Sequence, residues 1–252
     1  MIYENFDLIV IVWIGLGLLI LPAILLVQAP YGRYADTKWG AMFSNRVSWF
    51  IMELPAFLVF PCLFIFGSGT KSPVTWIFFG LWVFHYVNRD LVFPWRLKTK
   101  HKKMPLAIMF SGMFFNFMNG FVNGYYLGYL SPTYEISWLT DPRFIGGAII
   151  FLGGMYINWH ADAILLSLRK PGETGYKIPV GWFYKYISCP NYLGEIIEWF
   201  GFALMVWSLP ALSFALWTAV NLLPRALAHH KWYRNNFPDY PLRRKAIVPF
   251  IL

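Results

Sequence analysis

Charge and cysteine are both scarce in this chain of 252 residues. Asp, Glu, Lys and Arg together make up 13% of it, against about 25% in an average soluble domain, which argues against a soluble enzyme. The two cysteines, Cys62 and Cys189, are too few for a disulfide framework or a four-thiolate zinc site. The chain also lacks Gly-x-Gly-x-x-Gly, P-loop and Gly-x-Ser-x-Gly motifs. We therefore expect neither a Rossmann or P-loop nucleotide site nor a serine hydrolase.

Apolar residues, by contrast, make up 58% of the chain and aromatic residues 21%, and the mean hydropathy is +0.50. They recur in stretches of about 17–25 residues, the length that an α-helix needs to cross a bilayer. The last two stretches are separated by the turn Ser208-Leu209-Pro210, because proline ends a helix. The sequence predicts an all-α integral membrane protein with seven transmembrane helices, and six helices are the main alternative. The seven predicted helices are Phe6–Gln28, Val47–Gly67, Val74–Pro94, Ala107–Leu130, Arg143–Leu168, Tyr192–Trp207 and Ala211–Ala228.

The positive charges test this helix count independently. If the N-terminus is outside, 18 of the 21 Lys and Arg residues fall in segments on the inner side. Lys71 and Arg143 fall on the outer side, and Arg89 lies within a helix. Cytoplasmic loops of membrane proteins carry such an excess, so we predict an external N-terminus and a cytoplasmic C-terminus. The net charge of +9 then follows from topology, and no nucleic acid is expected as a partner.

Polar residues within the predicted helices lie at a common depth. At 1.5 Å per residue, four helices each place one such group about 9–12 Å from the cytoplasmic end: Glu53, Tyr86, Asp162 and Glu198. Ionisable residues inside membranes are costly and indicate function. They predict a pocket open to the cytoplasm, whose basic rim suits an anionic nucleotide cofactor. The apolar chamber beneath it holds a carboxyl and a phenol that could polarise a carbonyl.

Two other interpretations of these polar groups stay open. In one, Arg89, Glu53, Asp90 and Asp162 only neutralise one another between helices. In the other, the polar groups line the path of a transporter or channel. Such a path also needs polar residues in the outer half, where stretches such as 59–66 and 144–152 are almost wholly apolar.

Two further patterns concern helix packing and metal binding. Gly120, Gly124 and Gly128 form a ladder of small residues that predicts close packing of the fourth helix. His229 and His230 are adjacent and would point about 100° apart on a helix. Since the other histidines lack the spacing of a metal site as well, we expect no bound metal.

Several motifs of the chain resemble those of the steroid 5α-reductase family. The likeness is dense from about residue 147 to the C-terminus and sparser before it. The residues that carry it are Trp49, Glu53-Leu54-Pro55, His85-Tyr86-Val87-Asn88-Arg89, 158–162, 168–173, Tyr176, 191–199, 229–233, 237–241, 244–246 and 249–250.

The resemblance implies an NADPH-dependent reductase that reduces the enone of 3-oxo-Δ4 steroids within a single domain of residues 1–252. Residues 1–106 would serve mainly the substrate and 142–252 mainly the cofactor. Glu53 and Tyr86 would hold the 3-keto oxygen. Trp49, Met52 and Trp199 would line the substrate pocket, with Met52 standing where animal relatives usually have Gln. The cofactor residues would be Asn158, Asp162, Arg169, Tyr176, Asn191, Glu195, Arg225, His229 and Tyr233.

Other reductases on the same scaffold are alternatives, since the second half of the chain is also similar to sterol C14-reductases, long-chain enoyl-CoA reductases and polyprenol reductases. The pair of Glu53 and Tyr86 favours a steroid or another apolar enone, which would enter from the bilayer. Besides this substrate, membrane lipids are the expected partners. The membrane would be a bacterial inner membrane or the endoplasmic reticulum, with the cofactor site facing the cytoplasm. The oligomeric state stays open, and a monomer is compatible with these features.

The charge bias makes the topology testable. A tag before Met1 should be external and a tag after Leu252 cytoplasmic, because 18 of 21 basic residues lie on one side. Protease protection of the two tags in sealed vesicles measures this. Finding both termini on the same side would contradict the count of seven helices.

Overall fold

The computed structural model describes residues 2–27, 29–98, 102–170, 173 and 175–252. Seven long helical segments make up most of the described chain: α1 (Ile2–Leu26), α2 (Asn45–Phe66), α3 (Pro73–Tyr86, continued by π-helical Val87–Val92 and the turn Phe93–Arg96), α4 (Leu106–Tyr125, continued by π-helical Tyr126–Leu130), α5 (Pro142–Ser167), α6 (Pro190–Val206) and α7 (Leu209–Asn236). Short 3-10 turns occur at Gly32–Tyr34, Thr37–Trp39, Ile136–Thr140 and Trp182–Lys185.

A small sheet marks one end of this bundle. Strand β1 (Met42–Ser44) pairs antiparallel with β2 (Lys103–Pro105), with Phe43 opposite Met104. It joins the α1–α2 connection to the α3–α4 connection. We call this the sheet end, and most of the basic residues of the chain lie in the connections and helix termini there.

Within the part of the chain that the structure describes, five helices are long and apolar enough to cross a membrane: Glu4–Leu26, Asn45–Phe66, Leu106–Leu130, Pro142–Ser167 and Leu209–Asn236. The chain is therefore a multi-pass membrane protein. The other two helical segments, α3 and α6, are not long and apolar enough over their described residues to meet this criterion. α6 has 17 residues and carries two glutamates, and the π-helical part of α3 carries Arg89 and Asp90. Seven helical segments are present, but seven membrane crossings stay a prediction.

Most predicted helix ends lie within a few residues of those in the structure. Two differences are larger. Val74–Pro94 was expected as one regular helix, but it widens into a π-helix over Val87–Val92. The last helix was expected to stop at Ala228, where the apolar stretch ends, but it continues to Asn236. This extension begins His229-His230-Lys231, and hydropathy detects only the part of a helix that lies in the membrane. Gln28, Lys100, Pro171 and Gly172, which entered the predictions, lie outside the described residues.

The turn between α6 and α7 is confirmed. α6 ends at Val206, and Trp207 adopts a left-handed conformation with φ of 51°. Ser208 then caps α7 by accepting a hydrogen bond from the backbone N–H of Ala211 at 3.3 Å. Pro210 lies in the first turn, where its missing N–H is tolerated.

Glycines bring helix backbones into direct contact at two interfaces. Between α5 and α6, a Cβ on Gly154 would lie 2.6 Å from the carbonyl oxygen of Gly194, and a Cβ on Gly194 would lie 2.7 Å from that of Gly154. Between α4 and α2, a Cβ on Gly124 would lie 2.8 Å from Cα of Phe60. The close packing predicted from the glycine ladder of α4 is thus confirmed. Small residues allow such approach between membrane helices.

Aromatic side chains fill the core beyond the polar groups. The rings of Trp82 and Phe60 stack with centroids 4.4 Å apart, and Trp199 packs against Phe214 at 4.2 Å. All four are buried. The indole N–H of Trp82 donates to the carbonyl oxygen of Ala56 at 3.1 Å, which fixes α3 against α2. This aromatic core forms the inner wall of the candidate site.

The α5–α6 contact can be tested with neighbouring glycines. Gly154→Ala should lower the free energy of unfolding by about 1–3 kcal/mol, because the added methyl group overpacks the interface. Gly153→Ala is the matched control, since a Cβ at Gly153 meets nothing within 4 Å. Thermal unfolding of both variants in detergent measures the difference. Equal melting temperatures would contradict the backbone contact.

Candidate active site

A chamber of about 580 Å³ lies between α1, α2, α3, α4, α6 and α7. Its wall is mostly aliphatic and aromatic, and its polar groups are clustered. The residues of the wall include apolar Met52 and the polar or aromatic Trp49, Glu53, His85, Tyr86, Arg89, Asn116, Glu195, Trp199 and Arg225. This arrangement matches a pocket for an apolar ligand that carries a polar group at one end.

Glu53 and Tyr86 both line the chamber, and the two residues are only 7% and 2% exposed. Asn116 orients the carboxyl, since its amide nitrogen donates to Glu53 Oε2 at 3.1 Å and to the carbonyl oxygen of Met52 at 2.8 Å. The ring of Tyr86 packs 5.2 Å from Trp82 and 6.2 Å from Trp199. Both groups are therefore held by neighbours in fixed positions.

Arg89 joins two glutamates beside this pair. Its Nε lies 3.6 Å from Glu53 Oε1 and its Nη2 lies 3.7 Å from Glu195 Oε2. The guanidinium also covers the ring of Trp49 at 4.9 Å. Arg89 belongs to the π-helical part of α3, and π-helical turns often occur at functional sites.

Glu53 and Arg89 are close enough to neutralise each other, as the interpretation of mutual neutralisation requires. It does not hold for Asp90, which is fully buried and whose carboxylate oxygens have no hydrogen-bond partner among the described residues.

His85 and Glu198 form a second buried pair. His85 Nδ1 and Glu198 Oε1 are 2.7 Å apart, and the side chains are 4% and 0% exposed. The His85 ring also packs 4.7 Å from that of Trp199. This contact ties α3 to α6 directly beside Tyr86.

A second cavity of about 240 Å³ lies nearer the sheet end and is more polar and more basic. It holds Arg33, Lys98 and Lys177 in addition to six predicted cofactor residues: Asp162, Arg169, Tyr176, Asn191, Arg225 and Tyr233. The amide of Asn191 donates to Asp162 Oδ1 at 3.0 Å, and that of Asn158 donates to the carbonyl oxygen of Asn191 at 3.0 Å. These bonds fix the end of α5 against the start of α6.

The chamber and the second cavity meet. Tyr31, Trp49, Arg89, Leu222 and Arg225 line both. The ring of Tyr31 packs 6.3 Å from Trp49, and Arg225 donates a hydrogen bond to the Tyr31 hydroxyl. Ligands in the two cavities would therefore lie against the same residues.

The remaining predicted residues lie around these two cavities. Trp49, Met52 and Trp199 line the chamber, as does Glu195, which was expected at the cofactor. Asn158 lines neither of these two cavities and contacts Asn191 through the hydrogen bond given above. His229 lines neither cavity; it bonds to the Tyr192 hydroxyl at 3.2 Å and borders a third cavity.

Sequence reasoning missed Tyr31, Arg33 and Asn116 as site residues. Arg33 had counted only as a loop charge, yet its guanidinium lies 4.2–4.8 Å over the rings of Trp232, Tyr176 and Tyr233. Asn116 carried a detectable signal, since an amide in the middle of an apolar helix needs a partner.

Comparisons with known proteins decide the family. The family model described as 3-oxo-5-alpha-steroid 4-dehydrogenase matches residues 102–252. The chain is 41% identical over 243 residues to 3-oxo-5-alpha-steroid 4-dehydrogenase 1 of Bos taurus, covering 94% of this chain and 93% of the relative. The chain belongs to the steroid 5α-reductase family.

Further relatives of this family are similar over most of their length. The chain is 44% identical over 225 residues to 3-oxo-5-alpha-steroid 4-dehydrogenase 2 of Sus scrofa, covering 88% of this chain and 87% of the relative. It is 40% identical over 229 residues to steroid 5-alpha-reductase DET2 of Gossypium hirsutum, covering 89% of each. The resemblance seen in the motifs is confirmed, and the chain is an oxidoreductase that acts on CH–CH bonds.

Proposed function

We propose that the protein reduces the Δ4 double bond of 3-oxo-Δ4 steroids to 5α-3-oxosteroids, with NADPH as the reductant. The observation that carries the proposal is the junction of an apolar chamber with a basic cavity at shared residues such as Trp49 and Arg89. Such a junction lets a cofactor on one side meet an apolar substrate on the other. The names of the relatives support a steroid over the enoyl and polyprenol alternatives.

The second cavity fits the chemistry of NADPH. Arg33, Lys98 and Arg169 supply cations for phosphates, and Asp162 and Asn191 supply acceptors and donors for hydroxyl and amide groups. Arg33 Nη1 is buried without a hydrogen-bond partner among the described residues, so an anionic acceptor would satisfy it. We assign the cofactor to Asp162, Arg169, Tyr176, Asn191, Arg225 and Tyr233, with Asn158, Glu195 and His229 at its edge.

Tyr86 and Glu53 act on the substrate carbonyl in this proposal. The phenol of Tyr86 donates a hydrogen bond to the 3-keto oxygen, and Glu53, when protonated, donates a second, while Glu195 stays the ionised partner of Arg89 at 3.7 Å. These donors stabilise the negative charge that develops on the oxygen, as an oxyanion hole does. When bound, NADPH supplies the hydride to C5, and C4 then takes up a proton. Asn116 holds the Glu53 carboxyl in place through its 3.1 Å hydrogen bond.

The topology proposed with this function has seven crossings. α5 and α6 touch through their backbones at Gly154 and Gly194, so α6 lies at the depth of α5, which is long enough to span. The excess of basic residues at the sheet end supports a cytoplasmic location for that end. The cofactor site would then open to the cytoplasm. Residues 1–106 contribute about half of the chamber wall and 142–252 most of the cofactor cavity, which supports the second part of the expected division of labour more than the first.

The donor roles predict a specific rate loss. Tyr86→Phe and Glu53→Leu each remove one donor and should each lower kcat for a 3-oxo-Δ4 steroid such as progesterone by about 10²–10³, the usual effect of losing one oxyanion donor, whereas Glu53→Gln keeps an N–H donor and should retain more of the rate. NADPH affinity should change little, because neither residue lines the second cavity. Tyr134→Phe is the control, since Tyr134 is another buried tyrosine, bonded to the carbonyl oxygen of Val206 and outside the chamber.

The same variants separate catalysis from structure. If Glu53 only neutralised Arg89, Glu53→Gln and Glu53→Leu would lower kcat equally, because each removes the same charge beside Arg89. Full activity in Tyr86→Phe would remove the donor role from Tyr86.

Cofactor choice gives a second test. Arg169 lines the second cavity and its guanidinium lies 5.0 Å over the ring of Tyr176, where it can hold a phosphate. Arg169→Ala should raise KM for NADPH about tenfold or more, the value of a lost hydrogen bond to a charged group, with a smaller effect on kcat. Arg143→Ala, at the opposite end of α5, should change neither. Equal turnover with NADH by the unmodified protein would contradict phosphate recognition.

A further inference from the structure

His85 and Glu198 form a buried polar pair that the proposed reaction does not yet use. His85 Nδ1 and Glu198 Oε1 are 2.7 Å apart, and the two side chains are 4% and 0% exposed. His85 lines the reaction chamber, whereas Glu198 does not. The imidazole is therefore the member of the pair that a ligand in the chamber can touch.

The contact with Glu198 determines which ring nitrogen of His85 can meet a ligand. Because Nδ1 is held by the carboxyl, Nε2 is the nitrogen left for the chamber. The ring itself is fixed by Trp199, whose centroid lies 4.7 Å away. A histidine whose one nitrogen is bonded to a carboxylate presents the other nitrogen in a defined orientation.

Charge balance places a proton on Nε2. A buried net charge is costly, so we expect the pair to be neutral overall. Since Glu198 Oε2 has no hydrogen-bond partner among the described residues, any proton on the carboxyl is best placed on Oε1, facing His85. The pair is then an imidazolium beside a carboxylate, or a neutral imidazole that accepts from a carboxylic acid. In both arrangements Nε2 carries a hydrogen.

Packing alone does not require an ionisable pair at this position. Trp199 also contacts the rings of Phe151 and Phe202, at 6.1 and 5.6 Å, so the surroundings of the pair are aromatic. Apolar side chains that replace a buried ion pair are often neutral or stabilising. An ionisable pair kept within an apolar bundle, with one member at the chamber wall, indicates a chemical role.

We propose that His85 is the proton donor to C4 of the substrate, with Glu198 as its positioning residue. This inference rests on the proposed function, which leaves the source of that proton open. The rings of His85 and Tyr86 are 5.0 Å apart. A carbonyl bound by the Tyr86 phenol therefore brings C4, the carbon next to it, to the same part of the chamber wall.

The proton transfer balances. Once C5 has received hydride, the substrate is an enolate, and its electron pair forms the C4–H bond with the proton of His85 Nε2. The N–H bond breaks and its electrons stay on the imidazole. His85 is then neutral with its remaining proton on Nδ1, bonded to the Glu198 carboxylate. A proton from water restores the neutral pair before the next turnover.

Removal and chemical rescue of the imidazole test this role. His85→Ala should lower kcat for progesterone by about 10²–10⁴, the usual contribution of one general acid. Added imidazole should restore part of the rate, because it can fill the space that the ring leaves. His160→Ala is the matched control, since His160 is an exposed histidine of α5 that lines neither the chamber nor the second cavity. Its rate should not change, with or without imidazole.

A second variant tests the positioning residue. Glu198→Gln keeps a group that can donate a hydrogen bond to His85 Nδ1 but removes the carboxylate that balances the imidazolium. It should lower kcat without raising KM for NADPH, because Glu198 does not line the second cavity. An unchanged kcat in this variant would overturn the proposal.

The remaining outcomes separate this inference from the proposed function. A rate loss in folded His85→Ala that imidazole does not restore overturns the inference, as does an unchanged rate. If His85→Ala does not fold, by its melting temperature, Glu198→Gln and the isotope label at C4 decide. In D₂O, the unmodified protein should place deuterium on one face of C4, and label on both faces would contradict a fixed donor. The proposed function fails separately, if the unmodified protein does not reduce the steroid with NADPH.

Discussion

The burial of Arg89 between two glutamates is the interaction on which the site depends. A charged side chain inside an apolar bundle is stable only when it is paired, and Arg89 approaches Glu53 on α2 and Glu195 on α6 at 3.6 and 3.7 Å. One guanidinium thus links three helices at the point where the two cavities meet. The π-helical part of α3 that carries Arg89, and the amide of Asn116 on Glu53, both serve this arrangement.

The two sides of this junction differ in physical character. On one side, the stacked rings around Trp82 and Trp199 exclude water and hold Tyr86, so that a hydrogen bond to a substrate oxygen is strong there. On the other side, Asp162, Asn191 and Asn158 form a chain of hydrogen bonds within reach of basic residues. The glycine contacts between α5 and α6 position these hydrogen-bonded side chains, since the backbones of Gly194 and Asn158 touch.

Most of the helices and the polar layer could be predicted from the sequence, because hydrophobic length and depth along a helix are local properties. Glu53, Tyr86, Asp162 and Glu198 were expected at one level, and the first two line one chamber. The π-helical turns, the extension of α7 to Asn236 and the place of His229 outside both main cavities were not foreseen. Tyr31 and Arg33 were missed because they lie in a connection, where side-chain direction depends on contacts with residues as distant as Trp232.

The central claim, that the two cavities bring a hydride donor to the Δ4 double bond, is tested most directly by isotope transfer. The purified protein is given progesterone and NADPH that carries deuterium at the transferable position of the nicotinamide. The account predicts a 5α-reduced product with deuterium at C5 and, in ordinary water, hydrogen at C4. A reduced product whose C5 hydrogen comes from water, or no reduction of the steroid by active folded protein, would contradict it.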